Sequence, residues 1–205
     1  MTSSAKHRRM SRREKAEATY ARLMDAAAAV VGREGYAAAS VAKITAEAGI
    51  AHGTFYNYFE DRQALLDALL PHVGRQMTDG ITAALIGLGG GPEREIARFR
   101  AFCDYLGRNP GFYRILYEAE VFAPRAHAAH VGRLVEGYRR ALERAVARGE
   151  IAGYDKAELE AVIYILLGAR AYLAMRFISG GAAEVPDTAI RAYARMVERG
   201  LFGAR

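Results

Sequence analysis

Over residues 17–34 the apolar side chains Tyr20, Leu23, Ala27, Val30 and Val31 recur on one helical face, and Gly35 follows as a stop. Ser40 then offers a hydroxyl N-cap, and Val41, Ile44 and Ala48 at i, i+3 and i+7 predict a short second helix closed by Gly49. Ile50 gives the turn an apolar residue to bury. A third short helix carries Phe55 and Phe59 inward at i, i+4 and leaves His52, Gly53, Thr54, Tyr56, Asn57 and Tyr58 on its other faces. Helix, glycine turn, helix with polar and aromatic residues outward is the pattern of a helix-turn-helix.

The 3.6-residue period continues beyond it. A helix from residue 61 carries Leu65, Leu66, Leu69 and Leu70, and Pro71 is expected to kink or end it. The run GLGGGP at 87–92 reads as a connector, because a phosphate cradle would need a preceding strand and a following Lys-Ser/Thr. Further helices are predicted over 93–107, 110–121, 124–149, 155–179 and 187–202. No useful period-two segment and no internal repeat occurs, so the fold class is all-α.

Charge changes this picture at one place. Residues 1–15 hold Lys6, Arg8, Arg9, Arg12, Arg13 and Lys15 against Glu14, a balance of +5 out of +6 for the whole chain, so residues 16–205 contribute only +1. The segment lacks an apolar period and is expected to be a disordered basic arm. By itself it is a solvated tail or a nucleic-acid arm, and its place directly before the helix-turn-helix favours the second. The single cysteine, Cys103, cannot make an intramolecular disulfide, which suits a reducing compartment. No apolar core of a secretory signal follows the arm, and the longest apolar run, 161–169, ends at Arg170, short of the ~20 residues of a membrane helix. A cytoplasmic location without membrane attachment is expected. Three units are predicted: the arm 1–15, a DNA-binding head 16–62, and a body 63–205.

The string EGYAAASVAKITAEAGIAHGTFYNYFEDRQALLDAL resembles the DNA-binding head of TetR-family transcriptional regulators. The shared features are Gly35-Tyr36, a hydroxyl residue before Val41, Ile44, Ala48-Gly49-Ile50, Gly53-Thr54-Phe55-Tyr56, Tyr58-Phe59, a basic residue and then Leu65-Leu66. Three positions depart from the family pattern: Ala51 for a Ser N-cap, Arg62 for Lys, and Glu60-Asp61 for Pro-Ser. Arginine still reaches a phosphate, and the two acids either weaken affinity slightly or cap the next helix. The resemblance implies a homodimer on a palindromic operator, with a small-molecule effector bound in the body.

On that reading His52, Gly53, Thr54 and Asn57 approach base edges in the major groove, with Gly53 letting the backbone come near. Ser40, Tyr56, Tyr58 and Arg62 are expected at phosphates, and Lys43 either joins them or faces solvent. In the body, Phe99, Phe102, Tyr105, Tyr113, Tyr117 and Phe122 form an aromatic cluster that is plain core or an effector pocket; the resemblance favours a pocket for the group. Arg170 shares a stripe with Ile163, Leu167, Ala174 and Phe177, where an unpaired guanidinium is costly. It meets Glu118 or Glu120, or an anionic effector such as an organic acid or acyl-CoA. Gly168, Ala171 and Met175, with Ile190, Ala194, Val197 and Leu201, are either monomer core or the face of a four-helix dimer bundle, as the resemblance implies.

Competing readings find less support. His127 and His130 supply two imidazoles but not a zinc site, and Cys103 has no evident partner, so no metal and no cofactor are expected. No Ser-His-Asp order or nucleophile elbow is present, so catalysis is not expected. A helical metal-binding protein or enzyme and a sequence-independent architectural nucleic-acid binder are the alternatives to a ligand-responsive, homodimeric transcriptional repressor.

Overall fold

The computed structural model describes residues 11–177 and 184–203. Within them the chain is helical, and no strand occurs: α1 (Arg12–Glu34), α2 (Val41–Ala48), α3 (His52–Phe55), α4 (Arg62–Ala84), α5 (Gly91–Arg108), α6 (Phe112–Phe122), α7 (Pro124–Ala147), α8 (Lys156–Phe177) and α9 (Asp187–Met196), which runs into a π-helical stretch at Val197–Leu201. No helix among the described residues is long and apolar enough to cross a membrane.

The first helix begins earlier than its apolar period. Ser11 accepts from the Glu14 amide at 3.1 Å, and the Glu14 carboxylate accepts from the Ser11 amide at 2.7 Å, a reciprocal capping box. Two backbone donors are satisfied locally, so Arg12, Arg13, Glu14 and Lys15 are helical rather than part of an arm. Residues 1–10 of the expected arm lie outside the described residues. A second correction concerns Pro71, which sits inside α4 without ending it. The proline removes one bond to the carbonyl of Asp67, an exposed residue whose carbonyl water can take up. Leu65, Leu66, Leu69, Leu70, Val73 and Met77 are buried on both sides of it and hold the helix together.

One apolar core runs from Leu23 in α1 to Leu201. Helices α1–α3 form its N-terminal end, and α6 grips them. Gly32 and Gly111 touch backbone to backbone: a Cβ on either would fall 2.8 or 2.7 Å from the other's Cα. Gly35 adopts φ +87°, and a Cβ there would meet the Glu118 carboxylate at 2.8–2.9 Å. That carboxylate accepts from the Tyr36 amide at 2.7 Å, while Arg114 donates to the Arg33 carbonyl. At the far end of α6, Phe122 stacks on Tyr36 with centroids 5.8 Å apart, and Gln63 donates to its carbonyl at 2.8 Å. The junction between α1 and α2 is therefore clamped by one helix of the body.

Candidate nucleic-acid interface and effector region

The helix-turn-helix forms as its local chemistry dictates. The Ser40 hydroxyl accepts from the Lys43 amide at 3.2 Å, Ile44 and Ala48 turn inward, and Gly49 closes α2 in the left-handed conformation. Arg22 of α1 donates to the carbonyls of Ala48 and Gly49, which fixes the turn from outside. Only His52–Phe55 is regular α-helix; the next residues continue as a turn in which the Phe59 amide still reaches the Phe55 carbonyl at 3.1 Å. Phe55 and Phe59 are buried with ring centroids 5.5 Å apart, and Tyr20 stacks on Phe59 at 5.5 Å.

These buried rings aim the rest of α3 outward. His52, Gly53 and Asn57 are exposed, Thr54 is half-buried, and Tyr56 is 55% exposed, with its ring edge against His52 at 5.8 Å. A Cβ built on Gly53 meets nothing within 4 Å. Internal packing therefore gives no reason for glycine in this helix, where it is costly.

The expected phosphate contacts divide. Tyr56 is exposed and Tyr58 half-buried on the same side. The Ser40 oxygen is engaged as N-cap, and Lys43 Nζ binds Glu34 at 2.7 Å and the Ala38 carbonyl at 3.1 Å. Arg62 is engaged within the chain: its guanidinium donates to the carbonyls of Tyr36 and Ala39, tying the start of α4 to the loop before α2. Asp61 beside it is an N-cap, accepting from the Ala64 amide at 2.8 Å, which is the capping alternative for that acid. Arg62→Met is expected to lower stability by about 1.5–3 kcal/mol in urea unfolding, the scale of hydrogen bonds from a charged group. The same variant should leave the salt dependence of DNA binding unchanged, because only a lost phosphate contact lowers that slope by ~1.

The predicted aromatic cluster does not converge on one cavity. Phe99 is core, packed against the tilted ring of Tyr193 at 4.5 Å, and Phe122 belongs to the clamp on Tyr36. Tyr105 donates to the Val73 carbonyl at 3.1 Å, and burial pushes its pKa up to about 12. It borders a half-open cleft of about 560 Å³ between α1, α4 and the α5–α6 corner. Ala28, Ala29, Val73, Phe112 and Ile115 form its apolar lining, and Asp25, Gln76 and Asn109 add polar groups. The remaining predicted residues form a contiguous set between α5, α6 and α8. Tyr113 stacks on the exposed Tyr117 at 5.5 Å and donates to the Ala171 carbonyl at 2.6 Å, and Phe102 lies under Arg170.

Arg170 pairs with neither Glu118 nor Glu120. Glu118 is taken up at the α1–α2 junction, and Glu120 is exposed. Its guanidinium instead lies over the rings of Tyr138 at 4.8 Å and Phe102 at 5.6 Å. Nearby, Glu95 accepts from Tyr193 at 2.7 Å, Tyr138 at 3.0 Å and Arg98 at 2.9 Å. Burial, followed by the Glu95 charge, pushes the Tyr193 phenol far up and keeps it a donor. Sequence reasoning missed Glu95, although the period contained it: Glu95, Phe99, Cys103 and Leu106 are the buried stripe of α5.

His130 is buried rather than a metal-ready surface group. Its ring lies where a Cβ on Gly74 would be, 2.4 Å away, and edge-on to Phe112. Burial, then the charges of Arg133 and His127, pull its pKa down to about 4.

The expected pairing stripe is also redistributed. Ile190, Val197 and Leu201 are buried in the chain's own core and Ala194 half-buried, because Tyr193 draws that face of α9 onto Phe99 of α5. Gly168, Ala171 and Met175 are half-buried. The uncovered apolar surface of α8 is Tyr164, Ile165 and Tyr172, around a Gly168 whose Cβ would meet nothing within 4 Å. With Ile163, Leu166, Arg170 and Ala174 turned inward, α8 has two faces with apolar residues, one packed on its own core and one open.

Comparison with known proteins agrees with the head. Residues 23–69 match the family described as bacterial regulatory proteins, tetR family. The uncharacterized HTH-type transcriptional regulator YvdT of Bacillus subtilis (strain 168) is 35% identical over 68 residues, 33% of this chain and 35% of the relative. A fatty acid metabolism regulator protein of the same organism is 40% identical over 50 residues, 24% of this chain and 26% of that protein. The match thus spans about a third or less of these relatives' length. Among solved structures, the fatty acid degradation regulator FadR from Bacillus halodurans superposes with a TM-score of 0.77 at 17% identity, over 89% of this chain and 96% of that one. FadR from Bacillus subtilis in complex with stearoyl-CoA gives 0.76 at 17% identity, over 89% and 99%. At these identities the likeness is one of fold, and it extends through the body.

Proposed function

We propose that the whole chain is a homodimeric, effector-responsive repressor of transcription that binds a palindromic operator, with residues 23–69, which match the tetR family, in its DNA-binding head. The observation that carries this reading is the outward surface of α3 and the turn after it, where His52, Gly53 and Asn57 stand exposed while Phe55 and Phe59 anchor the segment from beneath. The head spans residues 16–62, and the basic residues before it, of which Arg12, Arg13 and Lys15 lie in the first turn of α1, follow phosphates; residues 63–205 bind the effector and dimerise. It acts in the cytoplasm as a regulator, not an enzyme.

Each protomer offers only one short reading helix, so affinity requires two. Their centres must lie about 34 Å apart to enter successive major grooves. The open α8 face supplies the partner contact, pairing Tyr164, Ile165 and Tyr172 with their symmetry mates. Effector binding in the body acts on the head through α6 and α4. A differential affinity of ~1–3 kcal/mol between the two states suffices for roughly a 5- to 150-fold change in operator binding. The stearoyl-CoA complex of the Bacillus subtilis relative makes an amphipathic acyl compound a reasonable effector class here.

Selection of genomic fragments bound by the purified protein tests this. An operator should emerge that is held ~10³-fold or more tightly than unrelated duplex at fixed salt. Equal affinity for both would make the protein an architectural binder instead. Asn57→Ala should then cost ~1–3 kcal/mol on the operator and much less on random DNA, as expected for a residue that reads a base. Equal losses on both DNAs would remove Asn57 from readout.

A further inference from the structure

The inner face of α8 places an arginine where apolar side chains belong: Ile163, Leu166 and Ala174 are its companions, and Arg170 is only 6% exposed. A guanidinium carries five N–H donors in a fixed fork. Among the described residues none of them has a hydrogen-bond acceptor, no carboxylate stands within 4.0 Å, and Nε is buried without a partner. The faces of Tyr138 and Phe102 offer cation–π attraction, which offsets desolvation in part but satisfies no donor. The only buried carboxylate among the described residues, Glu95, is 5% exposed and already receives Tyr193, Tyr138 and Arg98. Two guanidinium groups and one carboxylate leave this region of the core with an excess positive charge.

We propose that Arg170 is the anion-recognition point of the effector site, taking the oxyanion headgroup of an amphipathic molecule whose apolar part lies along Phe102 and Tyr113. This rests on the effector-responsive reading above. A planar fork accepts a carboxylate or a phosphate bidentately, and either would supply both the acceptors and the charge that the core lacks. Buried Tyr113 stacks on the exposed Tyr117, and its hydroxyl ties α6 to the carbonyl of Ala171, the residue after Arg170. An incoming headgroup competes for that phenol. The other end of α6 holds the Tyr36 amide through Glu118, so a shift of Tyr113 is passed to the α1–α2 junction along one rigid helix.

The test uses the full chain without DNA, so its outcome is independent of operator selection. Decanoate, decyl phosphate and decanol are titrated calorimetrically into the wild type, Arg170→Met and Arg170→Lys. At least one of the two anions should bind the wild type ten or more times more tightly than decanol does. That advantage should vanish in Arg170→Met and be intermediate in Arg170→Lys, which keeps the charge but loses the fork. Preference for decanoate identifies a carboxylate effector, and preference for decyl phosphate a phosphate. Anion affinity equal to that of decanol, or unchanged in both variants, overturns the proposal. Hydrogen exchange reads the α6 step: the bound anion should accelerate exchange of the Tyr36 amide, and an unchanged rate removes that step. Circular dichroism melting checks that Arg170→Met folds, and Arg170→Lys decides the question if it does not.

Discussion

Glu95→Ala is expected to destabilise the protein by about 3–5 kcal/mol, the cost of removing one partner from a buried charged pair. Glu95 lies at the meeting point of α5, α7 and α9, where its two oxygens receive two phenols and one guanidinium. Alanine leaves the Tyr138 and Tyr193 hydroxyls without an acceptor, both on buried residues, and Arg98 without its counter-charge. Against a typical total of about 5–15 kcal/mol, that loss unfolds a large fraction of molecules. Glu95→Gln provides the control. Its amide oxygen still accepts from a phenol, so the loss should be clearly smaller. Urea unfolding followed by circular dichroism measures both, and a loss below about 1 kcal/mol for Glu95→Ala would mean that this cluster does not hold the body together.

The second large effect concerns assembly rather than folding. Ile165→Glu alters a side chain that is 60% exposed in the single chain, so the stability of the protomer should change within about 0.5 kcal/mol. Across a two-fold axis the same substitution acts on both copies, placing two carboxylates in an apolar contact beside Tyr164 and Tyr172. Losing a central interface residue costs about 2 kcal/mol or more, which raises the dimer dissociation constant by more than tenfold. Sedimentation should show the wild type as a dimer and the variant shifted to monomer at the same concentration. Operator affinity should fall with it, while each head remains folded. A variant that stays dimeric would mean that the partner sits elsewhere than on this face of α8.

The structure divides the signals that sequence reading could use from those it could not. The Ser40 cap, the Gly49 stop and the Phe55–Phe59 pair act within one or two helical turns, and all three take the expected places. Period also placed Ile163, Arg170 and Ala174 on the inner stripe of α8, although Leu166 rather than Leu167 is the buried leucine and Phe177 is half-buried. The arm boundary was misplaced for a local reason: the capping box at Ser11 and Glu14 outweighs the missing apolar period. Arg62 illustrates the other kind of difference. As a basic residue after the reading helix it suits a phosphate, yet carbonyls of Tyr36 and Ala39, 26 and 23 residues away, claim its donors.

Pairing follows the same division. The apolar stripe of α9 is plain in the sequence, but a stripe does not say whether its cover is the chain's own α5 or a second copy. The Phe99–Tyr193 contact decides that, turning Ile190, Val197 and Leu201 inward and leaving α8 to supply the open face. The sequence by itself determined an all-helical chain and a helix-turn-helix with its outward residues, because helix period, caps and turns are encoded by neighbours. Only the tertiary structure decided which carboxylate Arg170 lacks, which residues gather around Glu95 from as far as 98 positions away, and that α6 clamps the reading head. Those are contacts between faces brought together by packing, and no local period specifies which faces will meet.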